Sequence, residues 1–189
     1  MKKKGFVWVS AVLYIALGVV AISLVLSAGL PLINKMKDRN TVIQTKEVMH
    51  AIDKNIWQVR SEGIGSKRFL QPVIIKGGKL MIFSEEKGGE NKNKIIWEMK
   101  TKTKMMEACE PNEKDSDILK TCTQPEGNLK MYSYLTNVED EYKIVLELDY
   151  TDNIKINLEG DYTSGSGLTG NYGLAIENSG YETITLTLK

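Results

Sequence analysis

The chain of 189 residues has a single histidine, His50, and only two cysteines, Cys109 and Cys122. One imidazole leaves no conventional Ser-His-Asp or Cys-His pair to complete. Two thiols with neither a second pair nor a nearby histidine leave a tetrahedral zinc site unfinished. No Asn-X-Ser/Thr triplet occurs, so the usual N-glycan acceptor is missing. Charge of one sign is missing too. Lys plus Arg is 25 against 24 for Asp plus Glu, and setting aside Lys2, Lys3 and Lys4 leaves 22 against 24. A remainder so close to neutral has no basic stripe for nucleic acid. Gly63-Ile64-Gly65-Ser66-Lys67 lacks the spacing of a phosphate loop. Glu139-Asp140-Glu141 reads as a solvated turn, and Asp149, Asp152 and Asp161 do not follow the acidic loop of a calcium hand. The expectation is a chain that is not an enzyme, with no catalytic, cofactor or metal site, and with His50 a solvated or packed helix side chain.

Charge is also missing where it matters most. Met1-Lys2-Lys3-Lys4-Gly5 leads into an apolar run, residues 6–30, that contains no charged residue. About 25 residues rising ~1.5 Å each make a helix of roughly 37 Å, longer than the ~30 Å hydrocarbon core of a bilayer. The three leading lysines favour a cytoplasmic start and an external C-terminal bulk, a bias that Lys35, Lys37 and Arg39 weaken. Trp8 lies where an aromatic ring can sit at the headgroup level. Two readings of the run follow from its residues. It can be a secretory signal cut near Ser27-Ala28-Gly29, although its apolar core is longer than such signals carry. It can be an uncleaved anchor.

Pro31 lacks the N–H that would reach the carbonyl of Ser27, which predicts a kink or break near residues 29–31. Beyond it Val42, Thr45, Met49, Ile52, Ile56 and Val59 recur at steps of three and four and form one helical face. Ile43, Val48 and Trp57 widen that stripe, as for a helix lying on a sheet. Two glycines, Gly63 and Gly65, supply the stop signal.

After Phe69 the period changes to two. Val73-Ile74-Ile75 and Leu80-Met81-Ile82-Phe83 flank Lys76-Gly77-Gly78-Lys79, which predicts a hairpin turning on the two glycines. Pro72 predicts an edge position or a strand start. Ile95-Ile96-Trp97 predicts a further strand. Alternation is cleaner toward the C-terminus: Leu129, Met131, Ser133 and Leu135; Tyr142, Ile144, Leu146, Leu148 and Tyr150; Ile154, Ile156 and Leu158; Tyr172, Leu174 and Ile176; Ile184, Leu186 and Leu188. These sets describe an antiparallel sheet with one face on a core. Ser164-Gly165-Ser166-Gly167 reads as a mobile connection between strands. The fold class is therefore α+β. A long N-terminal helix, with a transmembrane half (residues 6–30) and an amphipathic half (31–62), follows a leader (1–5) and precedes a β-rich head (63–189). Cys109 and Cys122 bracket a polar, turn-rich segment. Outside a cell such a pair forms a disulfide, contributing ~3 kcal/mol in the chain-entropy model.

The short basic leader ending in Gly, Lys3-Lys4-Gly5 before Phe6, resembles the class III signal peptide of type IV pilins and archaeal pilin-like proteins. The run from Glu62 to Arg68 before the strands resembles the helix-to-sheet junction of the archaeal members. The resemblance covers roughly the first 85 residues. It implies cleavage between Gly5 and Phe6 by a prepilin-type peptidase, a helix that packs in a filament core, and self-association with other pilin subunits. It also implies a single-pass membrane protein whose C-terminal domain lies outside, and an extracellular filament once assembled. Ser10 stands where bacterial pilins carry a glutamate, and many archaeal relatives lack that acid as well. The mid-chain placement of Cys109 and Cys122 departs from the C-terminal disulfide loop of bacterial pilins. The alternative is a membrane-anchored extracellular binding domain that does not polymerise.

Overall fold

The computed structural model describes residues 4–106, 124–136, 138 and 141–189, with residues 4–7 and 124 by backbone alone. The chain divides into two compact units, residues 1–40 and 41–189. One helix, α1 (Lys4–Glu62), supplies the described part of the first unit and the start of the second. It passes through Pro31 without the break that the missing N–H predicted.

In the second unit eight strands follow α1: β1 (Lys67–Phe83), β2 (Lys94–Thr101), β3 (Gln124–Glu126), β4 (Leu129–Leu135), β5 (Tyr142–Asp149), β6 (Lys155–Glu159), β7 (Leu168–Gly180) and β8 (Thr183–Leu188). They form one sheet in the order β3-β4-β5-β2-β1-β7-β8-β6. The helix-and-sheet class read from the sequence is the observed one. The stripe Val42, Thr45, Met49, Ile52, Ile56 and Val59 is buried at every position. Its apolar members share one core with Trp97, Ile144, Leu146, Leu148, Ile176 and Leu186. Each fully buried Ile or Met of that stripe contributes about 1.5–3 kcal/mol of transfer free energy. Of the three widening residues, Val48 and Trp57 pack against the core, whereas Ile43 is exposed.

The helix stops where the glycines predicted. Gly63 and Gly65 adopt φ +96° and +87°, the left-handed region that a Cβ penalises. The last carbonyls are satisfied by side chains. Ser66 Oγ donates to Val59 O at 2.6 Å, and Asn178 Nδ2 donates to the carbonyls of Val59 and Arg60 at 3.3 and 3.4 Å. Asn178, on β7, therefore ties the helix end to the sheet.

The predicted hairpin at Gly77-Gly78 is not there. Both flanking segments belong to the single 17-residue strand β1. A two-residue hairpin of this type needs positive φ at both central residues, and of the two only Gly78 has it, at +73°. The glycines lie at an irregularity in one continuous strand instead. β1 pairs with β7 over residues 67–75 and, after a register shift, again at Leu80, and it pairs with β2 over 79–83. Trp97 occupies the space that the glycines leave. Its indole N–H donates to Gly77 O at 2.9 Å, and a Cβ on Gly78 would lie 2.7 Å from its ring and 2.4 Å from Glu98 O. Pro72 sits at another register shift, between Leu70 and Val73, where no second described strand pairs with β1. This local edge is the setting its missing N–H requires.

A second correction concerns strand direction. All neighbours are antiparallel except β6 and β8, which run parallel. β8 hairpins back from β7, and alternation along β6 carries no information on which neighbour it will choose. The outer edge of β6 is stitched to the β1–β2 connection. Glu85 N–H donates to Ile156 O at 2.9 Å, and Ile156 N–H donates to Asn93 Oδ1 at 2.8 Å. Asn93 is buried and has φ +57°, a conformation that Asn tolerates better than most residues.

Candidate functional site: the exposed apolar length of α1

Residues 8–34 of α1 contain no Asp, Glu, Lys or Arg, and large apolar side chains point outward along the whole stretch. Trp8, Leu13, Tyr14, Leu17, Val25 and Leu32 are 60–77 % exposed. By length and composition this part of α1 can cross a membrane. Two of its serine hydroxyls are satisfied within the helix. Ser23 Oγ donates to Val19 O at 2.8 Å and Ser27 Oγ to Leu24 O at 2.9 Å. A hydroxyl bonded back to its own helix costs little in hydrocarbon, where an unpaired one would cost several kcal/mol. A Cβ built on Gly18 or Gly29 would meet nothing within 4 Å, so neither glycine is required by packing inside the chain.

Gly5 and Phe6 lie in the first two turns of α1. Cys109 and Cys122, read as a disulfide, lie outside the described residues. His50 is on α1 in the second unit, exposed, with Nε2 3.4 Å from Glu126 Oε2. Lys46 pairs with the other oxygen of that carboxylate, and this hydrogen bond above all holds the Glu126 carboxyl below its ordinary range. Of the acidic turn, Glu141 is bonded to Thr136 and Lys100, while Glu139 and Asp140 lie outside the described residues. Asp149 is ion-paired with Lys94 and Lys130. Among the described residues no group of three or more His, Cys, Asp or Glu is placed to hold a metal ion.

Two polar constellations in the head escaped the sequence reading. The first centres on Asp53, which lies off the apolar stripe. Its Oδ1 accepts hydrogen bonds from Tyr150 Oη at 2.8 Å, Trp57 Nε1 at 3.1 Å and Asn128 Nδ2 at 3.3 Å. Burial and the Asp53 charge push the Tyr150 hydroxyl well above its usual range, so it remains a donor. The second lies on β4, β5 and β2. Glu147 is 8 % exposed and accepts from Tyr132 Oη at 2.6 Å and Lys94 Nζ at 3.2 Å. Tyr132 meets Tyr134 edge-on, with centroids 5.3 Å apart. Burial first, and then the Glu147 charge, push the Tyr132 hydroxyl far up. Both constellations satisfy buried polar groups. A helix Asp four residues before a Trp was the one visible hint of the first.

The chain matches no family model, no curated protein and no solved structure.

Proposed function

We propose that the chain is a structural subunit of a type IV pilus-like surface filament, held in a membrane by the first part of α1 and assembled by packing of that helix against its copies. The observation that carries this reading is the contrast within one helix. Residues 8–34 are uncharged and their large apolar side chains exposed, whereas the stripe from Val42 to Val59 is buried under the chain's own sheet. A surface that is apolar all round is stable only among lipid tails or other apolar helices. The leader residues Lys3-Lys4-Gly5 before Phe6 add the resemblance to class III signal peptides.

In this reading a prepilin-type peptidase cuts between Gly5 and Phe6. The cut removes Lys2, Lys3 and Lys4 and leaves the apolar helix. The physical effect is large, because a lysine inside hydrocarbon costs about 2.5–3.5 kcal/mol. A helix without the three keeps only the new α-ammonium of Phe6 at that end, so it moves from lipid to a bundle of like helices with far less charge to bury. The external placement of the head follows from the positive-inside tendency acting on the uncut leader.

The mature N-terminus is the test. Intact mass or N-terminal sequencing of protein from its native cells gives a chain starting at Phe6 if the reading holds. Retained Lys2, Lys3 and Lys4 overturn it in favour of a permanent anchor bearing a binding domain. A start near Leu30 points to a secreted domain. Mechanical shearing of intact cells, without detergent, then releases the protein as polymer if it is a major subunit.

A further inference from the structure

The head carries a polar cavity of about 240 Å³ between the β1–β2 connection and the chain from the end of β6 toward β7. Its walls are fixed by the fold. Ser84 N–H donates to Ser164 Oγ at 3.0 Å, Gly165 N–H to Ile82 O at 2.9 Å and Ile82 N–H to Tyr162 Oη at 3.0 Å. Glu85 N–H holds Ile156 O at 2.9 Å and Ser166 N–H holds Thr163 O at 2.9 Å. The glycine-serine segment read as mobile is thus pinned on both sides, and the cavity is formed before any ligand arrives.

The lining has a definite chemistry. Glu86, Lys87, Asn157, Asp161 and Thr163 project polar side chains to it, and Tyr162 adds a half-buried ring. None of those five side chains bonds to another described residue, whereas the Tyr162 hydroxyl is spent on Ile82 and Ser166. Two carboxylates against one ammonium disfavour an anion. Two carboxylates, with no third Asp, Glu, His or Cys grouped with them among the described residues, make a weakly charged cage for a divalent cation. Too little apolar wall is present for a hydrophobic ligand, which needs a mostly apolar pocket. What remains is a neutral molecule rich in hydroxyls. Carboxylates accept from two hydroxyls each, the amide of Asn157 both donates and accepts, and Lys87 and Thr163 donate. A cavity of about 240 Å³ is small for a ligand site and suits a single ring better than an extended chain.

We propose that this cavity is a binding site for a single pyranose unit of a glycan. The proposal is independent of filament assembly, since an anchored head would present the same cavity. Pre-formed walls mean that little ordering opposes binding, while the exposed lining leaves the ligand in contact with water.

The full chain in zwitterionic, sugar-free micelles is titrated with methyl α-glucoside, methyl α-galactoside, methyl α-mannoside and N-acetylglucosamine, with binding read by saturation-transfer NMR. At least one probe binds. Asp161→Ala and Asn157→Ala each weaken it about tenfold, the loss of one hydrogen bond to a charged or bidentate partner. Asp152→Ala, on a turn outside the cavity lining, leaves it unchanged. Unaltered circular dichroism and melting of each variant show that the head is folded. Absence of binding by every probe, or binding indifferent to both cavity variants, overturns the proposal. Calcium or inorganic phosphate bound at the cavity in place of a sugar overturns it as well.

Discussion

Two lengths of one helix differ in what they do with apolar surface. Along residues 8–34 of α1 the apolar side chains go all the way round and stay exposed. Along residues 42–59 they are confined to a stripe, and that stripe is in the core. Helix propensity does not separate the two, and apolar content, higher in the first, separates them only in degree. Angular distribution separates them in kind. A stripe needs one partner, which the same chain supplies as a sheet, while an all-round apolar surface needs apolar surroundings on every side. The second length therefore reports on the fold, and the first on something outside the chain.

Paired substitutions break the comparison most directly. Ile56→Ala opens a cavity in the core and costs the head about 2–5 kcal/mol, a fall in melting temperature of roughly 4–20 °C for a domain of this size. Val20→Ala, an apolar truncation in the exposed length, leaves the same melting curve in place. Equal losses from both would mean that the first length also folds on the head. The converse pair uses charge. Val20→Arg adds about 3 kcal/mol to the cost of sitting in hydrocarbon and shifts the protein from the membrane pellet toward the soluble fraction, with the melting of the head unchanged.

The stripe was legible because a helical period repeated over five turns is a strong local signal, and all six of its residues are buried. Ile144, Leu146 and Leu148, and then Ile184 and Leu186, were legible for the same reason with period two. Pair choice was not. Gly77-Gly78 carries the composition of a hairpin, but the conformation depends on Trp97, some twenty residues on, whose indole fills the space over Gly78. The parallel pairing of β6 with β8 depends on where β7 goes. The cavity beside β6 depends on hydrogen bonds between segments eighty residues apart. The apolar length of α1 was plain from the sequence, and what surrounds it is a property of no single chain.

Asp53 sharpens the comparison on the polar side of the buried length. Three donors converge on its carboxylate, and one of them, Tyr150, is 1 % exposed. Asp53→Ala leaves that hydroxyl without an acceptor, at a cost of about 1–3 kcal/mol. Chemical denaturation should show a lower midpoint with unchanged slope. Adding Tyr150→Phe removes the orphaned donor, so the double variant recovers part of the loss. Additive losses would show that the pair does not communicate.

The smallest effect is set by pH and belongs to the head alone. Burial by itself would raise the Asp149 carboxyl, but hydrogen bonds from the Thr151 hydroxyl and N–H, with Lys94 and Lys130 alongside, hold it below its ordinary value. A carboxyl depressed in the folded state binds its proton more readily in the unfolded chain. Its contribution is therefore complete above the unfolded value near ~4 and is lost as pH falls through the lower folded value. Partial exposure and salt screening keep that contribution under about 1 kcal/mol. Asp149→Asn should flatten the acid limb of the melting temperature against pH while changing little at neutrality beyond that small offset. The first length of α1 has no Asp, Glu, His, Lys or Arg between residues 8 and 34, so its partition into membrane should not follow this acid limb. A membrane fraction that fell in step with Asp149 protonation would show that the apolar length depends on the folded head after all.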